Sequence, residues 1–243
     1  MDRNKKDFIE EKKNGMLISR SANGKDDFYI IDYEFDALYD LKYTNRLIKE
    51  VSNGIRMFLD RMNKKIGSVI VFGLGNYGMV ADSLGIKCCN KIITKLNDKV
   101  KIYSFKTGIE FYTGIETIRT IKAVSKEVKP DVVILIDSFV ASVEERLGKS
   151  IQITMQGLLP GGGLGRKGSK INENTLGVPV ISLGVPVIIE SKTICGKNNR
   201  TKQMVLTLKD IDDVIDKTSK IIAYAINICF TDLSLSDIKK VFE

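Results

Sequence analysis

Two aspartates, Asp82 and Asp137, are the side chains best placed to do chemistry in this 243-residue sequence. Asp82 closes the stretch GLGNYGMVAD, and Asp137 follows the apolar run DVVILI. Two carboxylates brought to one crevice can share a proton, leaving one as base and the other as acid, which suits hydrolysis by an activated water. Histidine is absent from the chain. That excludes triads and dyads built on imidazole, along with most catalytic zinc sites, and leaves acid–base work to carboxylates, Lys, Tyr or Cys. Each aspartate alone reads more plainly as a helix N-cap that accepts backbone N–H groups. Their joint placement at two strand ends is what favours chemistry, and which is base and which is acid stays open. The cysteines, Cys88, Cys89, Cys195 and Cys229, form neither a disulfide framework nor a CxxC zinc pattern, so they read as reduced thiols. No metal and no cofactor are expected.

Two glycine-bearing stretches compete for a role. Gly73, Gly75 and Gly78 spell GxGxxG after a strand-like run, the form of a dinucleotide fingerprint. The fingerprint also needs an acidic residue at the end of the next strand, and VKIYSF ends without one, so nucleotide binding is the weaker reading. The second stretch, LLPGGGLGRKGSK, lacks the P-loop order. It lies in a glycine-rich segment from Gly157 to Gly177, and so long a loop in a compact domain points to a site. Gly161, Gly162 and Gly163, with Lys167, are expected to present donors to substrate and to a developing oxyanion.

The surrounding elements must bring these residues together. Strands are expected at FYIIDYEF, at 68–73 (SVIVFG), at 100–105, at 131–136 and at IQIT, followed by two short apolar segments, VPVISL and VPVII. Helices are expected over LIKEVSNGIRMFLDRM, over 83–96 and 116–128, and over 211–230 and 233–242. This alternation predicts an α/β fold: a mainly parallel sheet with helices on both faces and a ligand site outside the carboxyl ends of its strands. Residues 1–27, dense in charge and without an apolar period, are expected to form a mobile arm or propeptide ahead of a single domain over 28–243.

Composition narrows the classes further. With 43% hydrophobic and 28% charged residues the chain is of ordinary globular type. No apolar run approaches the roughly 20 residues needed to span a bilayer, and the start lacks a secretory h-region, so a cytoplasmic protein without membrane contact is expected. The net charge of +8 comes from lysines spread along the chain rather than clustered with aromatics, so direct nucleic-acid binding is not expected.

Five blocks in order, GLGNYGMVADSLG, TGIET, KPDVVILIDSFVASVEER, SIQITMQGLLPGGGLGRKG and NENTLGVPVISLGVPVII, resemble the germination protease family of spore-forming bacteria, atypical aspartic-type endopeptidases. The resemblance covers roughly residues 66–190. It implies a fold like that of the hydrogenase maturation proteases, and cleavage of small acid-soluble spore proteins at germination in the cytoplasm of the forespore or spore core. By motif it places the catalytic aspartates on Asp82 and Asp137, a further carboxylate on Glu145 and the loop lysine on Lys167. It also implies a zymogen and a homotetramer. The alternative is a related spore protein that is non-catalytic or binds a nucleotide, favoured by GLGNYG and by Asn76-Tyr77-Gly78 standing where the family has Asn-Trp-Asn.

Overall fold

The two strongest apolar runs become neighbouring central strands of one mixed sheet. The computed structural model describes residues 8–21, 28–95, 100–161, 168–195 and 204–242. Its strands are β1 (Phe8–Lys13), β2 (Met16–Ser21), β3 (Phe28–Asp32), β4 (Ser68–Gly73), β5 (Lys101–Lys106), β6 (Val132–Ala141), β7 (Ser150–Thr154), β8 (Val180–Glu190) and β9 (Val205–Thr207). The helices are α1 (Leu41–Arg61), α2 (Leu84–Cys89), α3 (Glu110–Thr113), α4 (Thr117–Val128), α5 (Glu173–Leu176), α6 (Ser191–Cys195), α7 (Ile211–Phe230) and α8 (Leu235–Phe242).

The strand order is β1-β2-β3-β7-β8-β6-β4-β5, with β9 also paired to β8. Strands β5, β4, β6 and β8 are parallel neighbours, whereas β7, β3, β2 and β1 join by antiparallel pairing. The sheet is therefore mixed rather than mainly parallel. Its parallel half carries the site.

Side chains alternate across a strand, so a run buried on both faces must be apolar throughout. Val69 and Val71 of β4 and Val132, Ile134 and Ile136 of β6 pack into the core shared with α1, α2, α7 and α8. Ile70, Phe72, Val133 and Leu135 face the other way, against Ile118 and Ile121 of α4. Helices thus cover both faces, as the alternation predicts.

The arm expected over 1–27 is corrected by the structure for 8–21. These residues form a hairpin paired in register onto β3, and Met16 and Ile18 are buried in the main core. A buried carboxylate fastens it. Glu50, on the inner side of α1, accepts from Tyr29 Oη at 2.5 Å and from Lys13 Nζ at 2.9 Å. Burial pushes the Glu50 carboxyl pKa up, but the donors Tyr29 and Lys13 outweigh it and hold the group below its ordinary value.

From Val180 onward the segments VPVISL and VPVII form one continuous strand, β8. Pro186 cannot donate to the ladder, and the sheet accommodates it with a register shift: Phe139 pairs with Pro186 and Val140 with Ile188. The helix expected over 83–96 is only Leu84–Cys89.

Candidate active site

The site forms where α2 docks onto the carboxyl ends of the parallel strands. A Cβ on Gly85 would lie 2.3 Å from the Ile136 carbonyl oxygen and 2.6 Å from Leu74 N, so only glycine allows the α2 backbone this close to β4 and β6. Leu74 N in turn donates to Ile136 O at 2.8 Å. A short 3-10 turn, Val80–Asp82, immediately precedes α2. The docking therefore carries Asp82 toward β6, close enough for its charge to act on Asp137.

Asp137 sits within β6 rather than at its end, paired with Gly184 of β8. It is 9% exposed, and its Oδ1 accepts from the Ser138 amide at 2.9 Å. Burial, and then the negative charge of Asp82, push its pKa up to about 8, against the smaller opposing pull of the Ser138 amide. Asp137 accordingly keeps its proton at neutral pH. Asp82 is half-buried. The two carboxylates thus stand in unlike surroundings, Asp137 buried and Asp82 half-buried.

The base of the glycine-rich segment packs on one face of the sheet. Leu158 and Ile171 pair across its base, through N–H···O bonds of 3.0 and 2.7 Å, and pack with Leu135 and Val180. By alternation Leu135 and Asp137 share that face. Farther along, α5 begins with a capping box in which Asn172 and Thr175 satisfy each other's backbone amides. Gly161 is described, with a left-handed φ of 66°. Gly162, Gly163 and Lys167 lie outside the described residues.

Glu145 is less closely placed. It lies on the exposed turn Glu144–Arg146 beyond β6, and among the described residues no hydrogen bond joins it to Asp137. The neighbouring Arg146 does bond, to Asp32 of β3 at 3.2 Å.

Several site features had no signal in the sequence. Ser138 supplies the amide that faces Asp137. Aromatic groups stand exposed around the turn that carries Asp82: Tyr77, with Lys106 Nζ 6.0 Å above its ring, and Phe111 packed edge-on against Tyr112 at 5.3 Å. Among the described residues no cluster of three or more Cys, Asp or Glu is arranged to hold a metal ion. Also among them, no helix is long and apolar enough to cross a membrane.

The fold is an α/β sheet whose parallel half carries two electrostatically coupled aspartates, Asp82 and Asp137. A model of the germination protease family matches residues 21–200 of the chain. The germination protease of Clostridium perfringens strain 13 is 31% identical over 251 residues, spanning 82% of this chain and 77% of the relative. That of Clostridium tetani is 29% identical over the same shares. That of Bacillus subtilis is 38% identical over 149 residues, 56% of this chain and 40% of the relative. The chain belongs to the germination protease family. Among solved structures, the NiFe hydrogenase maturation protease HycI of Thermococcus kodakarensis aligns with 70% of this chain and 99% of its own, at 14% identity and a TM-score of 0.43.

Proposed function

We propose that this protein is an endopeptidase that degrades small acid-soluble spore proteins during germination, using Asp82 and Asp137 to activate water. The observation that carries the mechanism is the buried Asp137, whose proton affinity is raised by burial and by Asp82. A carboxylic acid that stays protonated at neutral pH beside an ionised partner can donate and accept in one step.

In this mechanism the ionised Asp82 takes a proton from the attacking water, whose oxygen bonds to the scissile carbonyl carbon. The proton on Asp137 moves to the carbonyl oxygen. As the tetrahedral intermediate collapses, the carbonyl reforms, the carbon–nitrogen bond breaks, and the proton on Asp82 passes to the leaving amine. The hydroxyl proton returns to Asp137, restoring the pair. Backbone donors of the glycine-rich segment are assigned to the carbonyl oxygen as charge develops on it, together with Lys167, which the resemblance places in that loop. Glu145 also enters by resemblance, and its exposure suits contact with substrate rather than with the buried proton.

The same reading makes the protein a homotetramer produced as a zymogen in the forespore or spore core. Removal of all of residues 1–27 would strip β1 and β2 from the sheet. A removable segment compatible with this fold therefore ends before Phe8.

The test is incubation of the purified protein with a small acid-soluble DNA-protecting spore protein, with the products mapped by mass spectrometry. Discrete internal cuts are expected. An intact substrate, together with a thermal shift on adding NAD or ATP, would instead favour the nucleotide-binding alternative.

A further inference from the structure

We propose that the Gly75–Asn76 turn is a positioning device that sets Asp82 against Asp137, rather than a phosphate-binding loop. The inference rests on the peptidase reading of the carboxylate pair and adds the residues that hold its geometry.

Gly75 has φ +114°, a conformation that disfavours side chains, and a Cβ there would sit 1.9 Å from the Asp82 carbonyl oxygen and 3.3 Å from its Oδ1. Asn76 N donates to Asp82 O at 2.8 Å, Met79 N to Asn76 O at 3.3 Å and Asp82 N to Met79 O at 3.0 Å. The buried Asn76 side chain accepts from Gly78 N at 2.8 Å. The segment 76–82 is thus closed on itself by backbone bonds. Its entry is tied to β6 through Leu74 N and Ile136 O, one residue before Asp137.

Two consequences follow from these bonds. The amides of Asn76 and Gly78, which a dinucleotide loop would turn toward phosphate, are spent on the chain's own acceptors. The spacing of the two carboxylates is transmitted through backbone from β6 to Asp82, with Gly75 at the point of closest approach. Gly75 is thereby explained without a ligand, and Gly73 by the Gly85 carbonyl oxygen, 2.2 Å from where its Cβ would lie.

Gly75→Ala is the direct test, with Asp82→Asn and Gly15→Ala assayed beside it on a spore-protein substrate. Gly15 also has a left-handed φ, +79°, but lies in the β1–β2 turn against the Tyr43 ring, so its variant reports the general cost of placing alanine at such a position. Gly75→Ala is expected to lower kcat at least tenfold, up to about a hundredfold for a displacement near 1 Å, with KM changed less than about twofold. The alkaline limb of its pH profile should move to lower pH, because a receding Asp82 charge raises Asp137 less. Gly15→Ala should leave both readouts at wild-type values. If Gly75→Ala does not fold, Asn76→Ala, which frees Gly78 N without adding bulk, should lower kcat and shift the limb in the same direction. Wild-type kcat and limb in folded Gly75→Ala, or in Asn76→Ala where the first variant fails to fold, would overturn the proposal if Asp82→Asn is inactive. Wild-type cleavage by Asp82→Asn would overturn both the proposal and the reading beneath it.

Discussion

Asp137→Asn should abolish peptide cleavage and at the same time stabilise the protein at neutral pH. In the folded chain the Asp137 carboxyl is pushed up from 3.8 to about 8, first by burial and then by Asp82. The unfolded chain releases this proton near the ordinary carboxylate pKa, so folding at pH 7 must restore it. The difference of about 3 pH units, at 1.36 kcal/mol each, costs about 4 kcal/mol. The sign follows from the raised native pKa: the contribution is fully present below about pH 4 and is lost as pH rises to about 8. Asn cannot ionise, so it escapes this loss, but its amide N–H groups in a buried site add a penalty of about 1–3 kcal/mol. The net gain at pH 7 is about 1–3 kcal/mol, or about 2–12 °C in Tm for a chain of this size. Thermal unfolding of both proteins by circular dichroism from pH 4 to 8 measures it. The gain should grow with pH and vanish or reverse near pH 4. A variant less stable than wild type at pH 7 and 8, or a difference that does not change with pH, would refute the buried, protonated Asp137.

The same proton predicts that kcat/KM falls as pH rises through about 8, and a pH–rate profile with no alkaline limb below pH 10 would contradict it. Cleavage should survive strong chelators, and loss in EDTA restored by added metal would overturn a metal-independent mechanism. Glu50→Leu should cost about 2–4 kcal/mol by leaving Tyr29 Oη without its acceptor and Lys13 without its partner, and limited proteolysis should then cut in residues 8–21 first.

How far the sequence was legible depended on how each element signals itself. Continuous apolar strands such as β4 and β6 are read easily, because burial on both faces leaves no polar position, and Asp137 stands out as the first polar residue after such a run. Asp82 became legible through its place beside the glycines of GLGNYG. The β1–β2 hairpin was hidden because FIEEKK is exposed along most of its length and only Met16, Ile18 and their neighbours in β2 face the core. An alternation that short looks like charged tail. Strand β8 looked like two pieces because Pro186 breaks the expected ladder, and the compensating shift, which skips Val187, shows only in the pairing with β6, far away in sequence. The role of Gly75 could not be read either, since its reason is a contact with Asp82 that exists only after folding. GxGxxG spacing records that glycines are needed, not what approaches them.

The central claim is that the carboxylate pair carries peptide hydrolysis, and the most direct measurement is single-turnover cleavage of a small acid-soluble spore protein by wild type, Asp82→Asn, Asp137→Asn and the double variant. Groups that act as one unit give non-additive losses. The account predicts that each single variant, folded by circular dichroism, loses cleavage by at least about a thousandfold, and that the double variant is little worse than either. Near-wild-type cleavage by either single variant would contradict it.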